Sequence, residues 1–471
     1  MPLLLIALPL AGAVVCFVLK LAEKPARVCL LGVSALETLL AALMLFSPIA
    51  GIRHSICPDW IGCDSVSALF LWVTILLFFL VSLHLCAWLP AELHFGEEGE
   101  TQKLHIFFSC LCAFLGTMVL VMLSRNFGLL WVAVEATTLV SAPLILFHRG
   151  RRSLEAMWKY LLICSVGIGL ALFGTMLLAV ASRATHAELD MAKLLNCRDA
   201  IDPAWYRAAF ILILAGYGTK MGLAPFHTWL PDAHSEAPGV VSALLSGALL
   251  NCSLLGIVRV ASVAPGAEVK IVSHLLILLG IVSLVVAAIF IVRQRDFKRM
   301  LAYSSVEHMG LLAIFVGAGA FKLGIIHLFG HSLIKMALFL VAGNILLGCG
   351  TRQIPLLGGL LKDMPRNARL WIAGILFACG VPPSPLFVTE FALICRLNIA
   401  LSATVVALLF IIFAGMTYAT LKMTAGPSGE ATPPSERAAA AEKLWYVPLA
   451  ALMLCTMIGI FYLYLIAGGA R

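Results

Sequence analysis

Residues 216–238 read GYGTKMGLAPFHTWLPDAHSEAP. The apolar run Ala208–Leu214 leads into this stretch, and Val240 begins another. Lys220 therefore arrives before the chain has gone far enough to leave a bilayer. Pro225 follows and breaks the helix, because proline has no N–H to donate and clashes with the preceding turn. A polar segment with His227, Asp232, His234 and Glu236 comes next. An ionisable side chain at the bilayer centre costs roughly 2.5–3.5 kcal/mol on insertion scales. A lysine placed there, beside a helix break, calls for a partner, water or a function.

The surroundings make the bilayer the right solvent. The chain has 471 residues, 62% of them hydrophobic and 12% charged, with a mean hydropathy of +1.03. Soluble domains carry about 25% charged residues. Half that share, with apolar runs along the whole length, means a polytopic membrane protein. No stretch is polar enough for a separate soluble domain. Met1–Leu19 lacks a basic n-region and a small-residue cleavage site, so it reads as the first membrane helix, not a signal peptide. The net charge of +8 comes from basic residues in short loops. Topology explains them better than nucleic acid does. The 14 cysteines are scattered through apolar runs, without a CxxC pair, and Cys110 and Cys112 are too close for a usual zinc or cluster pattern. They read as small apolar packers, and no metal or redox cofactor is expected in this chain.

Runs of membrane-spanning length occur at 2–20, 27–49, 64–89, 104–123, 127–147, 156–181, 207–224, 239–263, 271–292, 300–318, 321–348, 368–395, 402–422 and 444–467. These are 14 predicted helices. Basic loops follow the first (Lys20, Lys24, Arg27), fifth (Arg149, Arg151, Arg152, Lys159), ninth (Arg293, Arg295, Lys298, Arg299) and eleventh (Arg352, Lys362, Arg366, Arg369). By the positive-inside rule those loops face the cytoplasm, so both termini are expected outside a cell membrane. The loop after the third helix, with Glu92, Glu97, Glu98 and Glu100, runs against the trend, though acidic residues count little in this rule. Two loops are longer, 182–206 and 423–443; the second reads as a flexible connection or a short surface helix. Cys57, Cys63 and Cys197 fall in loops placed outside, where a Cys57–Cys63 disulfide is an open alternative to free thiols.

The seventh helix is interrupted at Leu223-Ala-Pro225 and the twelfth at Gly380-Val-Pro-Pro-Ser-Pro385. Each break lies beside an ionisable residue, Lys220 and Glu390. Paired proline-interrupted segments point to inverted repeats. The predicted fold is an all-α polytopic membrane domain over 1–471. It has two inverted five-helix repeats, helices four to eight (about 104–263) and nine to thirteen (about 271–422), with helices seven and twelve broken.

Other ionisable residues lie within the runs. Glu135 sits in the fifth, Glu307 and His308 in the tenth, and His327, His331 and Lys335 in the eleventh. The last three are spaced i, i+4, i+8 and share one helix face. They suit a short proton relay; the alternative is three polar residues satisfied locally. Glu135 and Lys220 carry opposite charge on different helices. Burial favours the neutral form of each and pairing the charged form. A changing separation would therefore change the proton affinity of the lysine, whereas a fixed pair would only hold two helices together. Glu307 and His308 project about 100° apart, so both cannot fully face one pathway. Asp232, His234 and Glu236 either feed protons from an aqueous end or cap the next helix. His54, His84, His94, His105, His148, His186 and His274 show no clustering and read as surface or interface residues.

Three motifs, GTKMGLAPFHTWLPDAHSEAPGVVSALLSG, DFKRMLAYSSVEHMG and HLFGHSLIKMALFLVAG, carry a resemblance. They resemble the antiporter-like, proton-conducting membrane subunits of respiratory complex I, Mrp-type sodium/proton antiporters and group-4 nickel–iron (NiFe) hydrogenases. The likeness runs over helices four to thirteen. It implies that Glu135 and Lys220 form the pair that gates proton affinity, that His327, His331 and Lys335 form the central relay, and that Glu390 passes protons onward. One position departs. In LLSGALLNCSLLGIVR, Asn251 stands where the family usually has lysine or histidine. Asparagine cannot carry the proton as a charge, though it can hydrogen-bond a water chain. SSVEHMG and Asn251 look most similar to the hydrogenase-4 and formate hydrogenlyase branch.

The resemblance implies a proton-translocating subunit of a redox-driven, hydrogenase-type or NADH:quinone oxidoreductase-type complex, without a redox centre of its own. Partner membrane subunits and a soluble redox module would supply the NiFe, iron–sulfur or quinone chemistry. The competing readings are a sodium/proton antiporter subunit of Mrp type, a non-pumping membrane anchor, and the membrane partner of an inorganic-carbon uptake protein.

Overall fold

The computed structural model describes residues 1–46, 57, 59–95, 103–427, 429 and 435–469. Glu97, Glu98, Glu100, His54 and part of the 423–443 loop lie outside the described residues. The α-helices run in the order α1 (Pro2–Val18), α2 (Glu23–Phe46), α3 (Ser65–Phe95), α4 (Leu104–Leu123), α5 (Phe127–Ile145), α6 (Arg151–Ala181), α7 (Met191–Asn196), α8 (Pro203–Met221), α9 (Trp229–Glu236) and α10 (Gly239–Leu244). They continue with α11 (Leu250–Ser262), α12 (Val269–Val292), α13 (Phe297–Gly317), α14 (Phe321–Cys349), α15 (Leu360–Asp363), α16 (Pro365–Ala378), α17 (Pro385–Ile394), α18 (Ile399–Thr424), α19 (Ser435–Glu442) and α20 (Tyr446–Gly469). A helix satisfies its own backbone groups, which is why it can cross a hydrocarbon layer.

Among the described residues 11 helices are long and apolar enough to cross a membrane, so the protein is a multi-pass membrane protein. They correspond to the predicted helices other than the first, seventh and twelfth. The first has 17 residues. The seventh and twelfth are broken, into α8 with α9 and α16 with α17. The α8 break begins at Gly222, whose φ of +83° suits a residue without a Cβ and whose N–H bonds back to Gly218 and Thr219. Trp229 Nε1 donates to the Thr219 carbonyl at 2.8 Å, satisfying an orphan acceptor at the helix end. The eighth predicted helix is α10 and α11 joined through a π-helical turn, Leu245–Leu249, directly before Asn251. The loop 182–206 holds the short helix α7, capped by the Asp190 side chain on Lys193 N at 2.8 Å. No disulfide joins Cys57 to Cys63.

The chain divides into two compact units. The first comprises 1–82, 101–229 and 248–275; the second comprises 83–100, 230–247 and 276–471.

In the first unit α1, α2 and α4 pack together, and α4, α5, α6, α8 and α11 follow in a row of neighbours. The α6–α8 contact is the most extensive. It is close because small residues meet there: a Cβ added at Gly216 would lie 2.5 Å from the Gly167 carbonyl oxygen. Without a hydrophobic force between helices in lipid, such backbone approach is a main source of association. Gly216→Val should lower the thermal denaturation midpoint of the detergent-solubilised protein, consistent with an overpacking cost of about 1–3 kcal/mol. An unchanged midpoint would contradict this packing.

The first unit is also tied at one helix start. Asp64 accepts from Ser67 N at 2.7 Å and pairs with both Arg259 guanidinium nitrogens, at 2.7 and 2.6 Å. Burial works upward on the Asp64 carboxyl, but the Arg259 hydrogen bond and charge, with Ser67, outweigh it and hold it below the usual range. A lowered folded-state pKa gives stability that is present above the unfolded value of about 3.9 and lost as pH falls through the folded one. The denaturation midpoint should therefore fall on acidification through that range, and Arg259→Ala should remove part of the fall.

In the second unit α14 is central, packed by α10, α13, α16, α17, α19 and α20. α13 starts on the Asp296 side chain, which accepts from Lys298 N at 2.8 Å and Arg299 N at 3.1 Å. The α19 helix packs against α14, and its Glu442 accepts from Asn367 N at 3.0 Å. It is a packing element rather than a loose surface helix.

Candidate functional site

Two buried polar clusters stand out, one in each unit. In the first, Lys220 is fully buried near the end of α8. Its Nζ donates to Thr138 Oγ1 at 2.7 Å and to the Tyr160 hydroxyl at 2.6 Å, and it lies 4.7 Å from the Tyr160 ring centroid. The Tyr160 hydroxyl also meets Ser141 Oγ at 2.6 Å. The tight α6–α8 packing brings Tyr160 of α6 to the lysine. Glu135 lies one turn before Thr138 on α5 and accepts from Ser165 Oγ at 3.0 Å; its Oε2 has no hydrogen-bond partner. Glu135 is within electrostatic reach of Lys220, but no ion pair within 4.0 Å joins them among the described residues. The expected pair is thus separated, with hydroxyl groups taking the lysine. This differs from a direct ion pair.

Asn251, in α11 of the same unit, is buried, and its neighbour Cys252 is within electrostatic reach of Lys220.

In the second unit the stripe on α14 is real but not self-sufficient. His327, His331 and Lys335 are each fully buried. Neither ring nitrogen of His331 has a hydrogen-bond partner, so His327 and His331 are not hydrogen-bonded to each other. His308 of α13 lies against both. Its Nδ1 is 3.3 Å from His327 Nε2, and its ring centroid is 5.0 Å from that of His331. His327 Nδ1 meets Thr389 Oγ1 of α17 at 2.9 Å, beside Glu390. Lys335 Nζ donates to the Leu301 carbonyl at 3.2 Å. Glu307 accepts from Ser304 Oγ at 3.2 Å and is within electrostatic reach of both Lys335 and Glu390. The 100° between Glu307 and His308 is accommodated because the α14 stripe is long: one residue serves Lys335, the other the two histidines.

The residues after the first break, within the second unit, are mostly committed to ion pairs. Asp232 bonds Arg299 at 2.8 Å, and Glu236 pairs with Arg352, which also holds Asp296 at 2.9 Å. Neither caps α10, whose N-cap is Pro238 without a side-chain bond. His234 is different. It is fully buried, stacked on Phe339 at 4.7 Å, with no hydrogen bond to either ring nitrogen, and within electrostatic reach of Lys298 and Lys335.

Residues 124–417 match the family model described as NADH:quinone oxidoreductase/Mrp antiporter, transmembrane region. The chain belongs to this family. Within the family it is 37% identical over 338 residues to a hydrogenase-4 component F homologue of Methylacidiphilum infernorum, covering 70% of each chain. It is 33% identical over 306 residues to a sodium/proton antiporter subunit A1 of Staphylococcus epidermidis, covering 61% of this chain and 38% of that one. A chain of an archaeal membrane-bound sulfane sulfur reductase shares the fold, with a TM-score of 0.83, 24% identity, and coverage of 98% and 94%. The chain thus spans less than half of the antiporter subunit that it matches.

Sequence reasoning missed several members of these clusters. Thr138, Tyr160 and Thr389 carry no charge, so nothing in an apolar run marks them. His84, expected at a surface or interface, is buried 3.2 Å from Asn344 in the second unit. Lys298 was counted with a loop, yet its Nζ is fully buried and donates to the carbonyls of Ser235 and Ala237. Glu37 in α2 is fully buried with neither carboxylate oxygen hydrogen-bonded. The rule that singled out Glu135 would have found Glu37 and His84, because both interrupt apolar runs.

Proposed function

We propose that this chain carries protons across a cell membrane as a subunit of a redox-driven complex of the hydrogenase-4 class. The observation that carries the reading is the contact series His331, His308, His327 and Thr389, with Lys335 at one end and Glu390 at the other. Packing alone does not call for two fully buried imidazoles 3.3 Å apart, His308 and His327, whereas proton transfer needs titratable groups. In the first unit Glu135 and Lys220 set the proton affinity of the lysine through their separation. Protons pass from lysine to hydroxyl or imidazole and on through water. Glu307, His308 and His234 join the primary residues Glu135, Lys220, His327, His331, Lys335 and Glu390. Asp232 serves as an ion-pair anchor, and Asn251 hydrogen-bonds water on the way onward from Lys220.

We further infer, from the paired helix breaks, that residues 104–263 and 271–422 are two inverted repeats, and that both termini face outside. The redox chemistry sits in partner subunits holding NiFe, iron–sulfur or quinone groups, and it acts on this chain electrostatically. Co-purification through a tag on this chain tests the assignment. Recovery of a large subunit with nickel-ligating cysteines supports it, and recovery of a set without a redox subunit contradicts it.

A second reading, a subunit of a sodium/proton antiporter, draws on the likeness to the Staphylococcus epidermidis antiporter subunit. The proposed function predicts proton movement in vesicles that survives complete replacement of sodium by potassium. Strict sodium dependence would favour the second reading.

A further inference from the structure

His308, His327 and Glu390 come from three helices, α13, α14 and α17, and each offers a ligand atom within 4.8 Å of the other two. We propose that these three residues form a buried site for a divalent transition-metal ion of the zinc class, and that its occupancy stops proton transfer along α14. The binding half stands on the geometry alone; the inhibitory half rests on the function proposed above.

Three observations carry the site. The first is the spacing. Zinc binds nitrogen at about 2.0–2.1 Å, so two imidazoles on one tetrahedral ion sit about 3.3–3.4 Å apart. His308 Nδ1 and His327 Nε2 are already 3.3 Å apart. The second is an unsatisfied acceptor. Glu390 is 8% exposed, and its Oε1 has no hydrogen-bond partner. A buried carboxylate oxygen left so gains from any cation that reaches it. Room for the carboxylate is kept by Gly380, where a Cβ would lie 2.5 Å from Glu390 Oε2. The third is the donor set. Two imidazoles and one carboxylate suit zinc, cobalt, nickel or iron(II), whereas sodium, magnesium and calcium prefer all-oxygen shells.

Charge agrees with the assignment. A dication with one carboxylate would leave a net positive charge in a low dielectric. Glu307, within electrostatic reach of Glu390, offsets it. His327 Nδ1, bonded to Thr389 at 2.9 Å, leaves Nε2 for the ion and fixes the ring orientation, as a second shell does. The atoms that would hold the metal are those that would pass the proton. Binding needs the imidazoles neutral and the carboxylate ionised. Metal and proton therefore exclude one another here.

The test uses the assembled complex, purified and treated with a chelator, then equilibrated with radiolabelled Zn²⁺. The wild type should hold one more zinc per complex than His308→Asn. His308→Cys, which restores a zinc ligand, should regain that zinc. With Cd²⁺ as the probe, the cysteine variant should show a thiolate-to-metal charge-transfer band absent from the wild type. Equal counts in the wild type and His308→Asn would overturn the site. For the second half, zinc at saturating concentration should abolish proton translocation with the concentration dependence of binding. Continued translocation with the site filled would overturn that half. Absence of the zinc with translocation still dependent on Lys335 would sink this inference and leave the proposed function standing.

Discussion

Replacing Lys335 by alanine should lower the protons moved per electron by the assembled complex on the order of 100-fold, the size expected for loss of one positioned proton-transfer group. The measurement is acidification by vesicles turning over the redox reaction. Lys335 is fully buried in the middle of α14, most of which is enclosed within the protein. Its hydrogen bond to the Leu301 carbonyl, at 3.2 Å, is a weak tie for an ammonium group. Glu307 is near enough to act on its charge. A lysine so placed costs stability, and its removal to alanine relieves that cost. The variant should therefore assemble normally and yet fail in transport. Assembly with unchanged transport would make Lys335 a passenger. Glu307→Gln should give a smaller loss, because Lys335, on which Glu307 acts, remains in place.

The second large effect concerns Lys220, and here the choice of substitution discriminates. Lys220→Arg keeps a positive charge and can still donate to Thr138 and Tyr160. A guanidinium, however, is effectively never deprotonated. If the residue only neutralises Glu135 or anchors α8, arginine should preserve function. If it must accept and release a proton, arginine should be about as damaging as methionine, again on the order of 100-fold. Tyr160→Phe removes one 2.6 Å bond to the ammonium group and should weaken transport less, by about tenfold. Transport near wild-type level in Lys220→Arg would contradict a carrier role.

Much of the fold was legible because the bilayer restricts the choices. Apolar runs of about 20 residues have to be helices there, and the positions of Pro225 and Pro385 marked both breaks. The finer features were not legible. The π turn at Leu245–Leu249 has no residue signature, since its sequence, LSGAL, is compatible with an ordinary helix. The charged members of the site were legible because charge in an apolar run is conspicuous. Their arrangement was not. The i, i+4, i+8 spacing of His327, His331 and Lys335 points to a relay along one helix, whereas in the structure His308 of the neighbouring helix contacts both histidines. Hydroxyl groups were invisible for the opposite reason: Thr138, Tyr160 and Thr389 are common in membrane helices and give no signal until the packing brings them to a charged group. The sequence groups Glu135 with Lys220 but leaves open whether they touch; in the structure Thr138, on the same face of α5 as Glu135, takes the lysine.

The proposed function requires protons to pass through the buried cluster that ends at Glu390. The most direct test is reconstitution of the intact complex into liposomes in sodium-free potassium buffer, with proton and electron flux recorded together for the wild type and Glu390→Gln. Glutamine keeps the size of the side chain and cannot carry the proton. The wild type should acidify one compartment during turnover, and the variant should sustain electron transfer with the proton-to-electron ratio lowered at least about tenfold. An unchanged ratio in the variant would contradict the proposed function.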